Sequence, residues 1–273
     1  MIGKDRAKEI YNESLDNLKR AYAAHKSNGK KTPILLIVGD TEEPSMFAKL
    51  KIKDFAKAEI EAVYGYTKPI NGIIKIEFPF PSYYTEDMQR IFSFEFPNKH
   101  IDNFSIIDSY TFDVDHLTDV NMLFNAAYGD NALIPCTSRS VLRILSESDY
   151  NVSGKNIVVL GRSYNVTTPL SLALIKDGAT VSVLNSHTPK EDMERLCKNA
   201  DVIISATGRE NIITADLVKE NAIVIDVGGG DVDYENVKNV TPNVTPPTGI
   251  AGVITRAMVM ESFIKYMEIA KKG

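Results

Sequence analysis

The chain has 273 residues, 44% hydrophobic and 25% charged, with a formal net charge of −5 and a pI near 5.5. This acidic balance lacks the basic stripe of a nucleic-acid binder, no apolar run approaches membrane-spanning length, and the polar start MIGKDRAKEIYNE is unlike a signal peptide. The expectation is a cytoplasmic protein of two domains with a ligand cleft between them. Its cysteines, Cys136 and Cys197, fit neither a disulfide framework nor a metal site and read as plain thiols.

Ala7, Ile10, Tyr11, Leu15, Leu18, Ala21 and Tyr22 recur at helical spacing, so residues 5–24 form an amphipathic opening helix. The polar loop SNGKKT leads into ILLIVG, a buried strand. Helical periodicity returns over 45–63, and IIKIEF at 73–78 is the next strand, stopped by Pro79 and Pro81. A helix over 137–149 and the polar turn SESDYNVSGK follow. The alternation then tightens, with strands NIVVLG, TVSVLN, DVIISAT and AIVIDVG separated by helical segments at 169–177, 190–198 and 214–219. Short β-rich apolar runs alternating with helices need cover on both faces, which is the doubly wound parallel sheet of an α/β protein. An amphipathic helix is expected over 255–271.

Gly161 closes the strand NIVVLG, Thr168 followed by Pro169 reads as N-cap and first helical residue, and Gly178 as the helix stop. Strand, polar loop and helix N-terminus in that order make an anion site, because unpaired N–H groups and the helix dipole converge on one spot. Only Gly161 of a G-x-G-x-x-G fingerprint is present, so the segment reads either as a dinucleotide turn or as an ordinary strand–helix connection. The next strand ends in Asn185, Ser186 and His187, where an NAD enzyme often carries an acidic residue for the ribose 2′-hydroxyl. With no carboxylate there and Arg162 on the preceding loop, a 2′-phosphate is tolerated, which leans the cofactor to NADP.

Ordered segments along the second half are PCTSRS at 135–140, GKNIVVLGRSYNVTTP at 154–169, ADVIISATG at 200–208, VIDVG at 224–228, GDVDY at 230–234 and TPPTGIAGVIT at 245–255. The first half adds ILLIVGD at 34–40, EFPFP at 77–81 and FDVDHL at 112–117. Together they resemble the bifunctional methylenetetrahydrofolate dehydrogenase/cyclohydrolase family over essentially the whole chain. The family's matching segments are PCTPxG, GKxxVVxGRSxxVGxP, ADIxIxAxG, VIDVG, GDVDF and TPVPGGVGPMT. The resemblance implies an N-terminal folate-binding and catalytic domain over 1–138, completed by the helix 255–273, and a Rossmann-type NADP-binding domain over 139–254, with folate in the cleft and a homodimeric assembly. It also implies NADP-dependent oxidation of 5,10-methylenetetrahydrofolate to 5,10-methenyltetrahydrofolate, then hydrolysis to 10-formyltetrahydrofolate; the alternatives are a member that retains one of these activities, with the dehydrogenase favoured, and a catalytically decayed folate- or nucleotide-binding protein. NADP contacts are implied for Gly161, Arg162, Ser163, Ser186, Thr188, Thr207, Gly208, Asp226, Gly228 and Thr255. Folate contacts are implied for Phe47, Lys51, Asp115, Thr248, Gly249 and Ile250, and catalytic roles for Lys51, Glu77 and Asp115.

Several positions depart from the family pattern. PSMFAKLKIKDFAK sets Phe47 and Lys51 one helical turn apart, so both can face one cleft. On its own, Lys51 among Lys49, Lys53 and Lys57 reads as part of a solvated helix face, and Phe47 as a core residue. The family's tyrosine is here Phe47, which keeps a ring for stacking and loses the hydroxyl, and its glutamine is Glu77. A carboxylate beside a lysine favours the ammonium form, so the cyclohydrolase step, which needs proton transfers, is expected to suffer more than hydride transfer. Asp115 matches the aspartate that holds the pterin amidine edge, whereas without the resemblance Asp113 and Asp115 are ordinary loop carboxylates. Thr167 replaces the glycine of GRSxxVGxP, Asn165 and Asn185 replace an isoleucine and a histidine, and Thr248 and Val253 replace prolines. Ile250 replaces a glycine, and a β-branched side chain there is expected to narrow the site or alter its backbone angles.

Overall fold

A computed structural model of the chain describes residues 1–27, 33–39, 41–70, 73–77, 103–107, 110–114, 126–129 and 134–270. The chain divides into two compact units, Met1–Asn12 with Val120–Met258, and Glu13–Asp119 with Val259–Gly273. The sequence reading divides the domains at 138/139 and 254/255. In the structure the first twelve residues belong with the second-half unit, and the chain crosses between units at 12/13 and 258/259, within the first and last helices, and at 119/120.

The opening helix α1 (Lys4–Ser27) buries Ala7, Ile10, Tyr11, Leu15, Leu18 and Tyr22, as its periodicity requires, while Ala21 is half-buried. In the first-half unit, β1 (Ile34–Gly39) is the central strand, with Ile34, Leu35, Leu36 and Ile37 no more than 4% exposed. Around it lie β2 (Glu61–Ile70), β3 (Ile73–Glu77), β4 (Asn103–Ile107) and β5 (Tyr110–Asp113), in the order β3-β2-β1-β4-β5. Only β1 and β2 run parallel; the other pairings are antiparallel.

The helical stretch expected over 45–63 is shorter, α2 (Met46–Ala56), and its end is local. Ser45 Oγ caps it by accepting from Ala48 N at 3.1 Å, and at the far end Glu59 takes a left-handed φ of 58° while Ile60 N reaches back to Phe55 O at 3.1 Å. That reversal frees EAVYGYTKPI to pair with β1 from Ile34↔Glu61 to Gly39↔Tyr66. Strands β2, β4 and β5 go beyond the expected elements; each is defined by its ladder partner rather than by its own apolar pattern. Phe55 of α2 and Phe263 meet edge to face, centroids 5.0 Å apart, in the core of this unit.

In the second-half unit, α3 (Cys136–Glu147) precedes β6 (Asn156–Leu160), α4 (Thr167–Lys176), β7 (Thr180–Leu184), α5 (Lys190–Asn199), β8 (Val202–Ser205) and β9 (Ile223–Asp226). A short α6 (Tyr234–Val237) and the long α7 (Ala251–Ala270) follow, the latter beginning four residues before the expected start. The sheet is parallel throughout, in the order β7-β6-β8-β9. Successive residues of a strand point to opposite faces, so the burial of Ile157, Val158, Val159 and Leu160 together shows that both faces are covered.

The helix expected at 214–219 is a single 3₁₀ turn, Ala215–Leu217. Val218 leaves it with extended angles, φ −109° and ψ 129°, because Leu217 and Val218 are both drawn into the core. Cys136 and Cys197 are buried thiols, and burial pushes Cys197 up to about 11. Among the described residues no helix is long and apolar enough to cross a membrane.

Candidate functional site

The C-terminal ends of the parallel strands form the first candidate surface, since ligands of doubly wound sheets bind where neighbouring strands send their connections to opposite sides. In the order β7-β6-β8-β9 that point lies between β6 and β8. Gly161 follows β6 with φ 121°, and a Cβ there would lie 2.8 Å from Ala206 O and 2.9 Å from the Thr167 methyl. Only glycine fits in this crowded cradle between the two strand ends. This geometry fits a dinucleotide.

The start of α4 differs from the expected cap. The helix begins at Thr167, with Val166 rather than Thr168 at the N-cap and Pro169 as its third residue, and Ser163 takes up the first N–H groups. Ser163 Oγ accepts from Thr167 N at 3.3 Å, Ser163 O accepts from Thr168 N at 3.1 Å and from Thr167 Oγ1 at 3.2 Å, and Leu170 N bonds to Val166 O. Pro169 has no N–H. The free helix N–H groups expected to hold an anion are therefore taken, and the exposed loop residues Arg162 and Ser163 remain to offer backbone N–H groups. Thr167 is fully buried in helical geometry, so the loss of the family's glycine is absorbed by the helix start. Gly178, φ 87°, ends the helix as expected.

After β7 the loop closes on itself: Asn185 N donates to Thr188 Oγ1 at 3.0 Å and His187 N to Asn185 Oδ1 at 2.9 Å, which leaves Ser186 exposed. Gly161 N donates to Leu184 O at 2.8 Å, so Arg162 and this loop sit at the same end of adjacent strands. Gly208, φ 65°, and Gly228 are exposed on the loops after β8 and β9.

Asp226 and Thr255 are turned inward. Asp226, 2% exposed, accepts from Gly229 N at 2.7 Å and Gly230 N at 2.9 Å, and shapes the loop after β9. Burial pushes its carboxyl above the usual range, the backbone donors oppose that rise, and the charge of Asp231 adds to it. Thr255 Oγ1 bonds to Ala251 O at 2.9 Å and Ser140 Oγ at 3.0 Å inside the unit.

The sequence reading assigned no role to Asp231 or Ser205. Asp231, 1% exposed, accepts on Oδ2 from Ser205 Oγ at 2.6 Å, Thr207 N at 2.6 Å and Thr207 Oγ1 at 2.9 Å. The signal was VIDVGGGDVD, where two carboxylates flank a glycine run after a buried strand and each needs donors.

In the first-half unit, Lys51 is 3% exposed, with Nζ 4.7 Å from the Phe47 ring centroid. The solvated-face reading of Lys51 fails, because α2 turns this position inward while Lys49 and Lys53 stay exposed. Phe47 is only half-buried, not a core residue, and lies one turn before the lysine it contacts. Glu77 ends β3 opposite Tyr66, and its side chain lies outside the described residues. Asp115 also lies outside them.

The TPPTGIAG segment leads into α7. Thr248 is exposed, Gly249 takes φ 95°, and Ile250 is 2% exposed, its carbonyl accepting from Ile254 N at 2.9 Å. The expected backbone distortion at Ile250 does not occur. The positive φ falls on the retained glycine, and the isoleucine side chain is packed away from solvent.

The family model for the NAD(P)-binding domain of tetrahydrofolate dehydrogenase/cyclohydrolase matches residues 135–271. The bifunctional protein FolD of Caldicellulosiruptor saccharolyticus is 36% identical over 203 residues, 71% of this chain and 67% of that protein. The protein of that name from Staphylococcus carnosus is 35% identical over 202 residues, 71% of this chain and 64% of its own length. The chain thus spans about two thirds of the curated relatives it matches. A 5,10-methylenetetrahydrofolate dehydrogenase from the silkworm, Bombyx mori, is similar in structure with a TM-score of 0.71 and 27% identity, covering 99% of this chain and 98% of that one. The bifunctional FolD enzyme of Campylobacter jejuni shares the fold, with a TM-score of 0.73 and 24% identity, covering 97% of this chain and 98% of that one. By sequence over most of its length, with its parallel sheet and glycine cradle in place, the chain belongs to the tetrahydrofolate dehydrogenase/cyclohydrolase family.

Proposed function

We propose that the protein oxidises 5,10-methylenetetrahydrofolate to 5,10-methenyltetrahydrofolate with NADP and hydrolyses that product to 10-formyltetrahydrofolate, as a cytoplasmic homodimer in one-carbon metabolism. Family membership supports the reading. The observation that carries it is Lys51, a lysine kept at 3% exposure under the Phe47 ring on a helix with ample solvated surface. A lysine is seldom buried unless a specific interaction or role holds it there.

In this reading the loops after β6 and β7 hold the cofactor, with Gly161 giving close approach, Arg162 and Ser186 receiving the 2′-phosphate, and Ser163, Thr188, Thr207, Gly208 and Gly228 lining the rest. Asp226 and Thr255 hold those surfaces from inside. Bound NADP supplies the hydride acceptor for the oxidation. On the first-half unit the folate is held by Phe47, which stacks, and by Asp115 on the pterin edge. Lys51 moves the proton as water adds to the methenyl carbon, and Glu77 has the part that the family's glutamine would play. Ile175 and Val183, 54% and 45% exposed near the open edge of the sheet, offer apolar surface to a second copy.

The test is to incubate the protein with methylenetetrahydrofolate and NADP and to follow methenyl absorbance. A rise followed by decay is expected. A flat trace with native protein and NADP in excess refutes the reading.

A further inference from the structure

We propose that Asp231 is a positioning residue of the dinucleotide site, fixing the loop after β8 in the shape that receives the cofactor and setting NADP affinity without touching the nucleotide. The inference rests on the NADP reading above.

One oxygen organises the whole segment. Asp231 Oδ2 takes the hydroxyl of Ser205, the last residue of β8, and both the N–H and the hydroxyl of Thr207. Thr207 Oγ1 in turn accepts from Arg209 N at 3.1 Å, so the order imposed by the carboxylate extends to residue 209. Between the two anchors lies Ala206, whose carbonyl borders the Gly161 cradle. A shift of this loop would therefore change the space in which the cofactor is read to sit.

The chemistry calls for an anion. Three donors converging on one oxygen favour a charged acceptor, because bonds to a carboxylate are stronger than bonds to a neutral amide carbonyl. Stability alone is a poor reason for the group. Its Oδ1 is buried with no hydrogen-bond partner, a feature that costs free energy. That atom lies against Gly228, where a Cβ would come within 2.1 Å of it, so the loop after β9 is shaped around the same carboxylate. Asp226 ties down Gly229 and Gly230 beside it. Among the described residues no lysine or arginine pairs with Asp226 or Asp231. Two buried carboxylates holding the loops at one end of the sheet suit a site whose shape matters more than its stability.

Asp201 is the internal control. It stands at the opposite end of the sheet, accepting from Asn156 N at 2.9 Å and Lys219 Nζ at 2.6 Å, and its role is to hold strands together. NADP is titrated calorimetrically into the native chain, Asp231→Asn, Asp201→Asn and Ser205→Ala. Asp231→Asn is expected to bind at least tenfold more weakly and Ser205→Ala, which removes one donor to the carboxylate at a buried position, at least threefold. Asp201→Asn should stay within twofold of native even if it melts earlier. Ser205→Ala carries the test if Asp231→Asn does not fold. Native-like affinity in both Asp231→Asn and Ser205→Ala overturns the proposal and leaves the NADP reading intact. An equal loss in Asp201→Asn also overturns it, since general loosening then explains the effect. A native chain that does not bind NADP removes the NADP reading and this inference with it.

Discussion

Gly161→Ala is the sharpest perturbation of the nucleotide cradle. Its φ of 121° lies where only glycine is comfortable, and the added methyl would meet Ala206 O at 2.8 Å and the Thr167 methyl at 2.9 Å. Backbone strain of this kind costs roughly 1–3 kcal/mol and forced overpacking a similar amount. The backbone carbonyl cannot yield as a flexible side chain would, so a combined loss of about 3 kcal/mol is expected. Gly208→Ala is the matched comparison. At φ 65° with nothing within 4 Å of the new methyl, it should cost only about 1 kcal/mol. The chain has no tryptophan, so urea unfolding is followed by far-UV circular dichroism, with and without NADP. Ligand at a hundred times its Kd stabilises the unit that binds it by about 2.7 kcal/mol, which identifies the relevant transition. Gly161→Ala should lose both the intrinsic stability and this increment. If it unfolds within about 0.5 kcal/mol of native, or if Gly208→Ala is the worse of the two, the cradle is not where the geometry puts it.

Three further outcomes are expected. Arg162→Ala should weaken NADP binding about tenfold, the lower end for an exposed charge-assisted bond, while leaving NAD affinity unchanged; parallel losses for both nucleotides would remove Arg162 from 2′-phosphate recognition. On the pairing of Lys51 with Glu77 that the family resemblance implies, Glu77→Gln should raise the ratio of methenyl hydrolysis to methylene oxidation; a lowered ratio would make Glu77 itself the working base. Glu147 accepts from Arg6 at 2.9 Å and Arg143 at 2.7 Å, and chiefly the Arg6 bond holds its carboxyl below the ordinary range. A depressed carboxyl contributes stability above its unfolded pKa and loses it as pH falls through the folded value. Glu147→Gln should therefore cost about 1 kcal/mol near neutrality, discounted for the half-exposed arginines, and nothing once the pH is well below about 4; a difference that persists in acid would assign the effect to packing.

The second-half sheet was legible because its signals are local. The apolar runs of β6, β8 and β9 announce strands covered on both faces, Gly161 and Gly178 mark a strand end and a helix end, and the ordered segments around them identify the family. Local pattern does not specify partners. The first three residues of β2 read as helix because the helical period extends to Val63, and only the ladder with β1, opened by the reversal at Glu59, makes them extended. Lys51 and its neighbours are chemically alike in sequence, and what distinguishes them is the direction in which α2 faces, a property of packing. The same holds for Asp231. Its partners Ser205 and Thr207 lie 26 and 24 residues away, so the need of a buried carboxylate for donors was readable in the chain, while which donors satisfy it was decided only when β8 and β9 came to lie side by side.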